Sequence, residues 1–241
     1  LRIDGEAVTT ATEFDVASPG NVDRVVGTFA ERTADDLDRA VAAADRAFDS
    51  WRRTPAADRA ALFETAAERL RGRKYELAAT ITVENGKNRT EAIADVDEAI
   101  DFLRFYAREL ERHDGYAFDT GEPTPGQHCR NSLRPYGVFG VISPFNFPLA
   151  ILAGMTAGAL LTGNTAVLKP ASATPLIAHE FLDVLREAGL PDGVLNLVTG
   201  GGEAVGRPLI EHEDVAGIAF TGSRDVGRDI TETFRSLGKR G

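Results

Sequence analysis

The segment VISPFNFPLA, residues 141–150, places one side-chain amide, Asn146, between two phenylalanines and two prolines. Pro144 and Pro148 restrict the backbone on either side of it. An amide donates hydrogen bonds without a charge that a change of pH could remove, and a fixed donor of this kind stabilises a developing oxyanion. Alternatively, Asn146 caps the helix that the apolar residues after it predict. The residues by themselves leave both roles open.

Three further segments place polar or glycine-rich sequence directly after an apolar run. In NTAVLKPASATP, Lys169 is either solvated or a donor to ribose hydroxyls. In TGGGEAVG, the glycines form either a plain loop or a place where the backbone closely approaches a ligand. In FTGSRDVG, Gly222 allows a tight turn and Ser223 can cap a helix, whose first backbone N–H groups also make an anion site.

Alternating strands and helices after residue 136 must position these groups. The strands are predicted at residues 137–143, 165–170, 193–200 and 215–222, with helices between them. This alternation is typical of a parallel sheet that is covered by helices on both faces. Ligands bind at the carboxyl ends of the strands in such sheets, and Asn146, Lys169 and Ser223 all fall there. The sequence therefore predicts an α/β fold with a ligand site at that edge.

The first part of the chain is predicted to be helical. Thr33 precedes one helix, Pro55 opens a second, a third follows, and residues 91–112 form a long amphipathic helix. A stretch rich in Gly, Pro and Thr then indicates extended chain or a hairpin. We therefore divide the chain into a helical part at 1–113, a hairpin at 114–135 and a strand–helix domain at 136–241.

Composition excludes several classes of function. A net charge of −10 argues against a nucleic-acid partner. The one cysteine, Cys129, cannot form an intramolecular disulfide, which favours a reducing cytosol. Residues 149–161 are the most apolar segment and are too short to span a bilayer, and the start shows no signal peptide. The histidines have no metal-binding spacing. We expect a cytoplasmic protein without a metal or a membrane partner.

In their order and spacing, the segments SPFNFPL, GNTAVLKPASATP, EAGLPDGVLNLVTGGG and FTGSRDVG resemble the aldehyde dehydrogenase superfamily. The resemblance covers nearly the whole chain. The helical segment VENGKNRTEAIADVDEAIDFLRFYARELER most resembles the branch that oxidises glutamate γ-semialdehyde. The resemblance implies a Rossmann-like NAD(P)-binding domain, part of an oligomerisation β-hairpin, a small aldehyde substrate and a homo-oligomer.

The resemblance also implies a role for each matching residue. Asn146 would donate its side-chain N–H to the substrate oxygen, and Phe147 would line the aldehyde channel. Glu91 would lie near the ammonium group of the substrate. The residues expected to bind the cofactor are Ser143, Pro144, Phe145, Lys169, Ser172, Gly202, Gly206, Phe220, Thr221, Gly222, Ser223, Val226 and Gly227.

The sequence departs from the family pattern in two respects. Ser172 stands where many members have a glutamate that binds the ribose 2′-hydroxyl, so we expect NAD as the main cofactor with NADP tolerated. The family's nucleophilic cysteine and general-base glutamate lie beyond the FTGS helix, so we expect residues 1–241 to lack the catalytic domain and to be inactive alone. Two alternatives stay open, an enzyme for another aldehyde such as succinate semialdehyde, and a noncatalytic nucleotide-binding or subunit-interaction module.

Overall fold

The computed structural model describes residues 1–239. The N-terminal half contains β1 (Arg2–Ile3), β2 (Glu6–Ala7), β3 (Glu13–Ser18), β4 (Asn21–Ala30), α1 (Ala34–Trp51), α2 (Ala56–Gly72), α3 (Lys74–Asn85) and α4 (Arg89–Arg112). The remaining elements are β5 (Ala117–Gly121), β6 (Cys129–Ser132), β7 (Val138–Ile142), α5 (Ala150–Leu161), β8 (Thr165–Lys169), α6 (Pro175–Glu187), β9 (Leu195–Leu197), α7 (Arg207–Glu211), β10 (Val215–Phe220) and α8 (Arg224–Ser236).

The central sheet has the strand order β10-β7-β8-β9-β1-β2. The four strands β7 to β10 pair in parallel, as the alternation of strands and helices predicts. The prediction of a purely parallel sheet is incomplete, because β1 pairs antiparallel with both β9 and β2. Each of these added strands has two residues, which is too short for a periodic signal in the sequence.

Helices cover both faces of the sheet, as predicted. Along β8, Ala166 and Leu168 belong to one hydrophobic core with residues of α5 and α6. Residues of α2, α3 and α4 belong to the same core. Val167, between them, belongs to the second core, with α1, α7 and α8. Successive side chains of a strand point to opposite faces, so one apolar run serves both layers.

The prediction of a helical part over residues 1–113 is wrong for its first 30 residues, most of which form strands. Besides β1 and β2, this segment contains a two-stranded antiparallel ribbon of β3 and β4. The alternation of polar residues with Phe14 and Val16 is a weak strand signal in this segment. From Ala34 onward the helices follow the prediction, with Thr33 forming a capping box with Asp36 at the start of α1.

The predicted hairpin at 114–135 is formed by β5 and β6, which pair antiparallel from Ala117 opposite Ser132. A short 3-10 turn at Asp114–Tyr116 connects α4 to the hairpin. Most of its residues are exposed, and Phe118 on β5 is 52% exposed. The hairpin therefore stands away from both cores.

A buried carboxylate from α3 fixes the start of α6. Glu84 is 2% exposed and accepts hydrogen bonds from the backbone N–H groups of Leu176 and Ile177, at 2.6 and 3.1 Å. No side chain of α6 itself caps its N-terminus, so Glu84 satisfies donors that would otherwise be buried without a partner. Burial raises the pKa of Glu84 to about 7, although the two N–H groups oppose that shift.

Replacing Glu84 with Gln should change how stability depends on pH. The raised pKa means that the folded protein binds more protons than the unfolded chain between about pH 4.5 and 7. The contribution of Glu84 to stability is therefore largest below this window and decreases as the pH rises through it. Relative to Glu84→Gln, the free energy of unfolding of the wild type should fall by up to about 3 kcal/mol between pH 4 and pH 8. Urea unfolding at both pH values measures this, and a difference that is independent of pH would contradict it.

Candidate functional site

The register of the parallel strands brings the predicted site residues to one edge of the sheet. Ile142 pairs with Phe220 on one side and with Lys169 on the other. The three strands therefore end at the same level, and the loops after them start side by side. Neighbouring strands lie about 5 Å apart, so these loop starts span roughly 10 Å. The loop after β9, which contains the glycine run, starts next to that of β8 because Leu168 pairs with Leu197.

The loop after β7 holds Asn146 between two anchored neighbours. The side-chain amide of Asn85 donates a 2.7 Å hydrogen bond to the carbonyl oxygen of Phe145. The ammonium group of Lys87 lies 3.9 Å from the centroid of the Phe147 ring, a cation–π contact. Asn146 itself is exposed, and its amide makes no hydrogen bond to any part of residues 1–239. A donor whose backbone is held on both sides, and whose own amide has no protein partner, is available to a ligand.

Asn146 does not cap the helix that follows, so that alternative is wrong. The N-cap position of α5 is occupied by Leu149, which has no side chain able to accept a hydrogen bond. The N–H of Ala150 donates instead to Asp95 Oδ1 on α4, at 2.7 Å. Asp95 is buried, and its other oxygen, Oδ2, accepts a hydrogen bond from Lys87 Nζ at 2.6 Å. The cap of α5 is supplied by the helical layer of the protein.

At the end of β8, Lys169 is a buried cation without a carboxylate partner in the described chain, residues 1–239. It is 6% exposed, and its ammonium group donates one hydrogen bond, at 3.0 Å, to the carbonyl oxygen of Pro170. Burial lowers its pKa. An ammonium group has three donor hydrogens, so two are left for a ligand at this edge of the sheet.

The loops after β8 and β9 are tied together beside Lys169. The hydroxyl of Ser172 donates a 3.0 Å hydrogen bond to the carbonyl oxygen of Gly200 and keeps its lone pairs as acceptors. The helix predicted between the last two strands is a π-helical turn, Gly202–Gly206, followed by α7. A Cβ atom on Gly202 would meet nothing within 4 Å, and one on Gly206 would lie 3.9 Å from the methylene groups of Lys169. Packing within the protein does not require glycine at either position, so both leave room for a ligand against the backbone.

The start of α8 combines a helix cap with close packing. Ser223 caps α8 by accepting a hydrogen bond from the N–H of Val226 at 3.3 Å. A Cβ atom on Gly222 would lie 2.6 Å from the ring of Phe220, so any larger residue there would have to displace that ring. Thr221, beside it, donates to Met155 Sδ at 3.6 Å. Gly227 faces the same ring from the first turn of α8, where a Cβ atom would lie at 3.5 Å.

Two further expected groups differ in position: Ser143 lies at this edge, and Glu91 lies in the helical layer. The hydroxyl of Ser143 is buried at the end of β7 and has no hydrogen-bond partner within residues 1–239. Glu91 is exposed on the first turn of α4, where its backbone N–H donates to the capping side chain of Asn88. It lies one helical turn before Asp95, on the side of α4 that faces α5. Its predicted role near the substrate stays a prediction.

Sequence reasoning missed Glu84, Lys87 and Asp95 as parts of the site. A signal existed for Asp95, because it lies in the apolar stripe of α4 beside Ala92, Val96 and Ala99. A charged residue in a buried stripe needs a partner. The sequence did not show which partner, because Ala150 lies in another helix, 55 residues away.

Within residues 1–239, no group of three or more His, Cys, Asp or Glu side chains is placed to hold a metal ion. No helix in the same range is both long enough and apolar enough to cross a membrane.

Comparison with known proteins shows to which family this chain is similar. The model of the aldehyde dehydrogenase family matches residues 7–240. A 1-pyrroline-5-carboxylate dehydrogenase of Geobacillus thermodenitrificans is 47% identical over 233 residues, which is 96% of this chain and 45% of that protein. A solved structure of a 1-pyrroline-5-carboxylate dehydrogenase from Thermus with bound NAD has a TM-score of 0.91 at 40% identity, over 96% of this chain and 45% of that chain. A betaine aldehyde dehydrogenase of Staphylococcus aureus in complex with NAD+ has a TM-score of 0.92 at 30% identity, over 99% of this chain and 49% of that chain. The chain thus spans about half the length of the relatives it matches.

The two kinds of glycine in the site should respond differently to alanine. Gly222→Ala places a methyl group against the Phe220 ring, which must move, so the free energy of unfolding should fall by about 1–3 kcal/mol. Gly202→Ala meets open space and should change it by less than about 0.5 kcal/mol. Urea unfolding of the two variants side by side tests this, and equal losses would show that the Phe220 ring yields without cost.

Proposed function

The chain belongs to the aldehyde dehydrogenase family, and on that premise we propose that it forms the cofactor-binding portion of an NAD-dependent enzyme that oxidises L-glutamate γ-semialdehyde to glutamate. This aldehyde arises from 1-pyrroline-5-carboxylate in proline degradation. Relatives that carry the name 1-pyrroline-5-carboxylate dehydrogenase at 44–47% identity support the substrate. The nucleophilic cysteine and the general-base glutamate would come from the part of the relatives that residues 1–241 do not span, so this chain alone would be inactive.

The buried ammonium group of Lys169 carries the proposal. A buried charge without a carboxylate partner is costly, and this one keeps two donor hydrogens at the edge of a parallel sheet where ligands bind. Ribose hydroxyls accept such hydrogen bonds. The buried, unpartnered hydroxyl of Ser143 and the open space at Gly202 fit the same ligand. The residues present are therefore suited to a dinucleotide.

In this proposal each loop of the edge has its own task. Lys169 and Ser172 bind the adenosine ribose, while Gly202 and Gly206 let the adenine lie against the backbone. Thr221, Gly222 and Ser223 meet the pyrophosphate at the start of α8, whose N-terminal dipole favours negative charge. The remaining contacts to the cofactor come from Ser143, Pro144, Phe145, Phe220, Val226 and Gly227. When bound, the nicotinamide accepts a hydride from the substrate carbon.

Asn146 has the chemical role in this chain. Attack of a thiolate on the aldehyde carbon converts the carbonyl oxygen into an oxyanion. The side-chain N–H of Asn146 would donate to that oxygen, held in place by its anchored neighbours. Phe147 would line the approach of the aldehyde, and Glu91 would attract its ammonium group. A neutral amide keeps its donor at every pH at which the thiolate is present.

We further propose that the enzyme works in the cytoplasm as a homo-oligomer that assembles through its hairpin. Phe118 on β5 and Leu133 just after β6 are 52% and 67% exposed, and Tyr136 is 67% exposed. Large apolar side chains exposed on a hairpin that stands away from the cores, and on the chain just after it, are typical of a contact surface.

Replacing Lys169 with Met tests the proposal directly. The variant keeps an unbranched side chain one atom shorter than lysine and loses the donor hydrogens, so the Kd for NAD, measured by titration calorimetry, should rise roughly 10- to 100-fold. The matched control is Lys74→Met, since Lys74 pairs with Asp97 in the helical layer. An unchanged Kd for NAD in Lys169→Met would show that the buried ammonium group of Lys169 does not bind the cofactor, and would contradict the proposal.

In the complete enzyme, Asn146→Ala should lower kcat by roughly 10²–10³ with little effect on cofactor affinity, because one oxyanion donor is lost. Steady-state kinetics at saturating NAD, together with calorimetry, separate the two quantities. A variant with the kcat of the wild type would assign Asn146 no part in the reaction.

Replacing Ser172 with Glu should sharpen the preference for NAD over NADP. A carboxylate there would accept a hydrogen bond from the 2′-hydroxyl of NAD and repel the 2′-phosphate of NADP, mainly by raising the KM for NADP. The ratio of kcat/KM for the two cofactors is the measurement. If the ratio does not change, residue 172 does not face the ribose.

A further inference from the structure

We propose that Asp95 and Lys87 are positioning residues for Asn146, setting its place through the first turn of α5 and the ring of Phe147. This inference rests on the proposed function, in which Asn146 donates to the oxyanion. Neither residue would touch the substrate. Their effect on the reaction would pass through the loop of residues 143–149.

The pair is buried at the junction of three elements. The side chain of Asp95 is 0% exposed and that of Lys87 is 12% exposed. Asp95 Oδ2 accepts from Lys87 at 2.6 Å, and Oδ1 accepts from the N–H of Ala150 at 2.7 Å. One carboxylate thus joins the connection before α4, α4 itself and the start of α5.

The start of α5 depends on this carboxylate. The first N–H groups of a helix have no partner within the helix, and here no side chain of α5 supplies one. A negative charge at a helix N-terminus is also favoured by the helix dipole. Removal of Asp95 would leave a buried N–H group without a partner and the mostly buried ammonium group of Lys87 without its carboxylate, which costs more than the net gain of the pair.

The network reaches Asn146 from both directions along the chain. On the C-terminal side, Ala150 is four residues beyond Asn146, and Pro148 between them has little backbone freedom. On the same side, Lys87 lies 3.9 Å above the ring of Phe147. On the N-terminal side, Asn85, two residues before Lys87, holds the carbonyl oxygen of Phe145. The segment 85–88 and Asp95 therefore fix both neighbours of Asn146 and the turn that follows, while the amide of Asn146 points to no protein partner within residues 1–239.

A positioning role differs from a purely structural one in a double-mutant cycle. The complete enzyme is compared as wild type, Asp95→Asn, Asn146→Ala and the double variant. Asp95→Asn keeps an oxygen for Ala150 but loses the charge that holds Lys87. We expect kcat at saturating NAD to fall roughly 10-fold or more in Asp95→Asn, because small misplacements of a catalytic group are costly. The Kd for NAD should stay within about twofold, since the loss is confined to the transition state.

In the background of Asn146→Ala the same Asp95→Asn change should have little further effect on kcat, because the donor that it displaces is already gone. The matched control is Asp36→Asn, which alters a buried carboxylate that accepts a hydrogen bond from a backbone N–H group at the start of α1. Because α1 follows β4 and no loop of the proposed site, Asp36→Asn should keep the kcat of the wild type at saturating NAD.

If Asp95→Asn fails to fold, Asp95→Asn combined with Lys87→Met removes both charges and leaves no buried ion without a partner. The combined variant enters the same cycle with Asn146→Ala, with the same expected non-additivity. Losses of kcat that multiply in either cycle, or a kcat of Asp95→Asn equal to that of the wild type, overturn the inference and leave the proposed function intact. A kcat of Asn146→Ala equal to that of the wild type overturns the proposed role of Asn146 and this inference together.

Discussion

The first turn of α5 contains backbone N–H groups that its own sequence cannot satisfy, and the arrangement of the site depends on how they are satisfied. The chain after Asn146 is apolar, so a cap must come from elsewhere, and Asp95 supplies it from α4. The other end of α5 is held in the complementary way. Arg59 and Trp51 donate to the carbonyl oxygens of Leu161 and Leu160, at 2.8 and 3.0 Å. A negative group at the N-terminus and a positive group at the C-terminus both match the helix dipole.

The helical layer and the sheet consequently act as one body. The core on this side of the sheet is continuous from α2–α4 through α5 and α6 to Val141 and Leu168. Glu84 repeats at α6 what Asp95 does at α5, and each of these helices follows a loop of the proposed site. Segments that are distant in the sequence therefore place the loop of Asn146 and the loop of Lys169. The sequence pattern changes near residue 113, but residues from both sides of this point pack in the same hydrophobic core.

Glycines that look equivalent in the sequence have different surroundings in the structure. Gly222 makes room for the ring of Phe220, whereas Gly202 borders open space. Ser223 caps α8, and the first N–H groups of that helix are of the kind that can bind an anion. Of the two roles considered for Asn146, the structure rejects the cap, since Leu149 occupies the N-cap position of α5.

The sequence by itself determined the order of strands and helices after residue 136, the covering of both faces and the edge at which Asn146, Lys169 and Ser223 meet. These features follow from local periodicity, and parallel register then aligns the strand ends. Only the tertiary structure decided that β1 and β2 extend the sheet, that most of residues 1–30 form strands, and that Asp95 and Glu84 cap α5 and α6. The strand signal in residues 1–30 is local but weak, since β3 and β4 form a hairpin. For the two caps and for the pairing of β1 with β9 the physical reason is range, because these depend on hydrogen bonds between residues far apart in the chain. No pattern within one helix or strand shows which distant donor a buried carboxylate will meet.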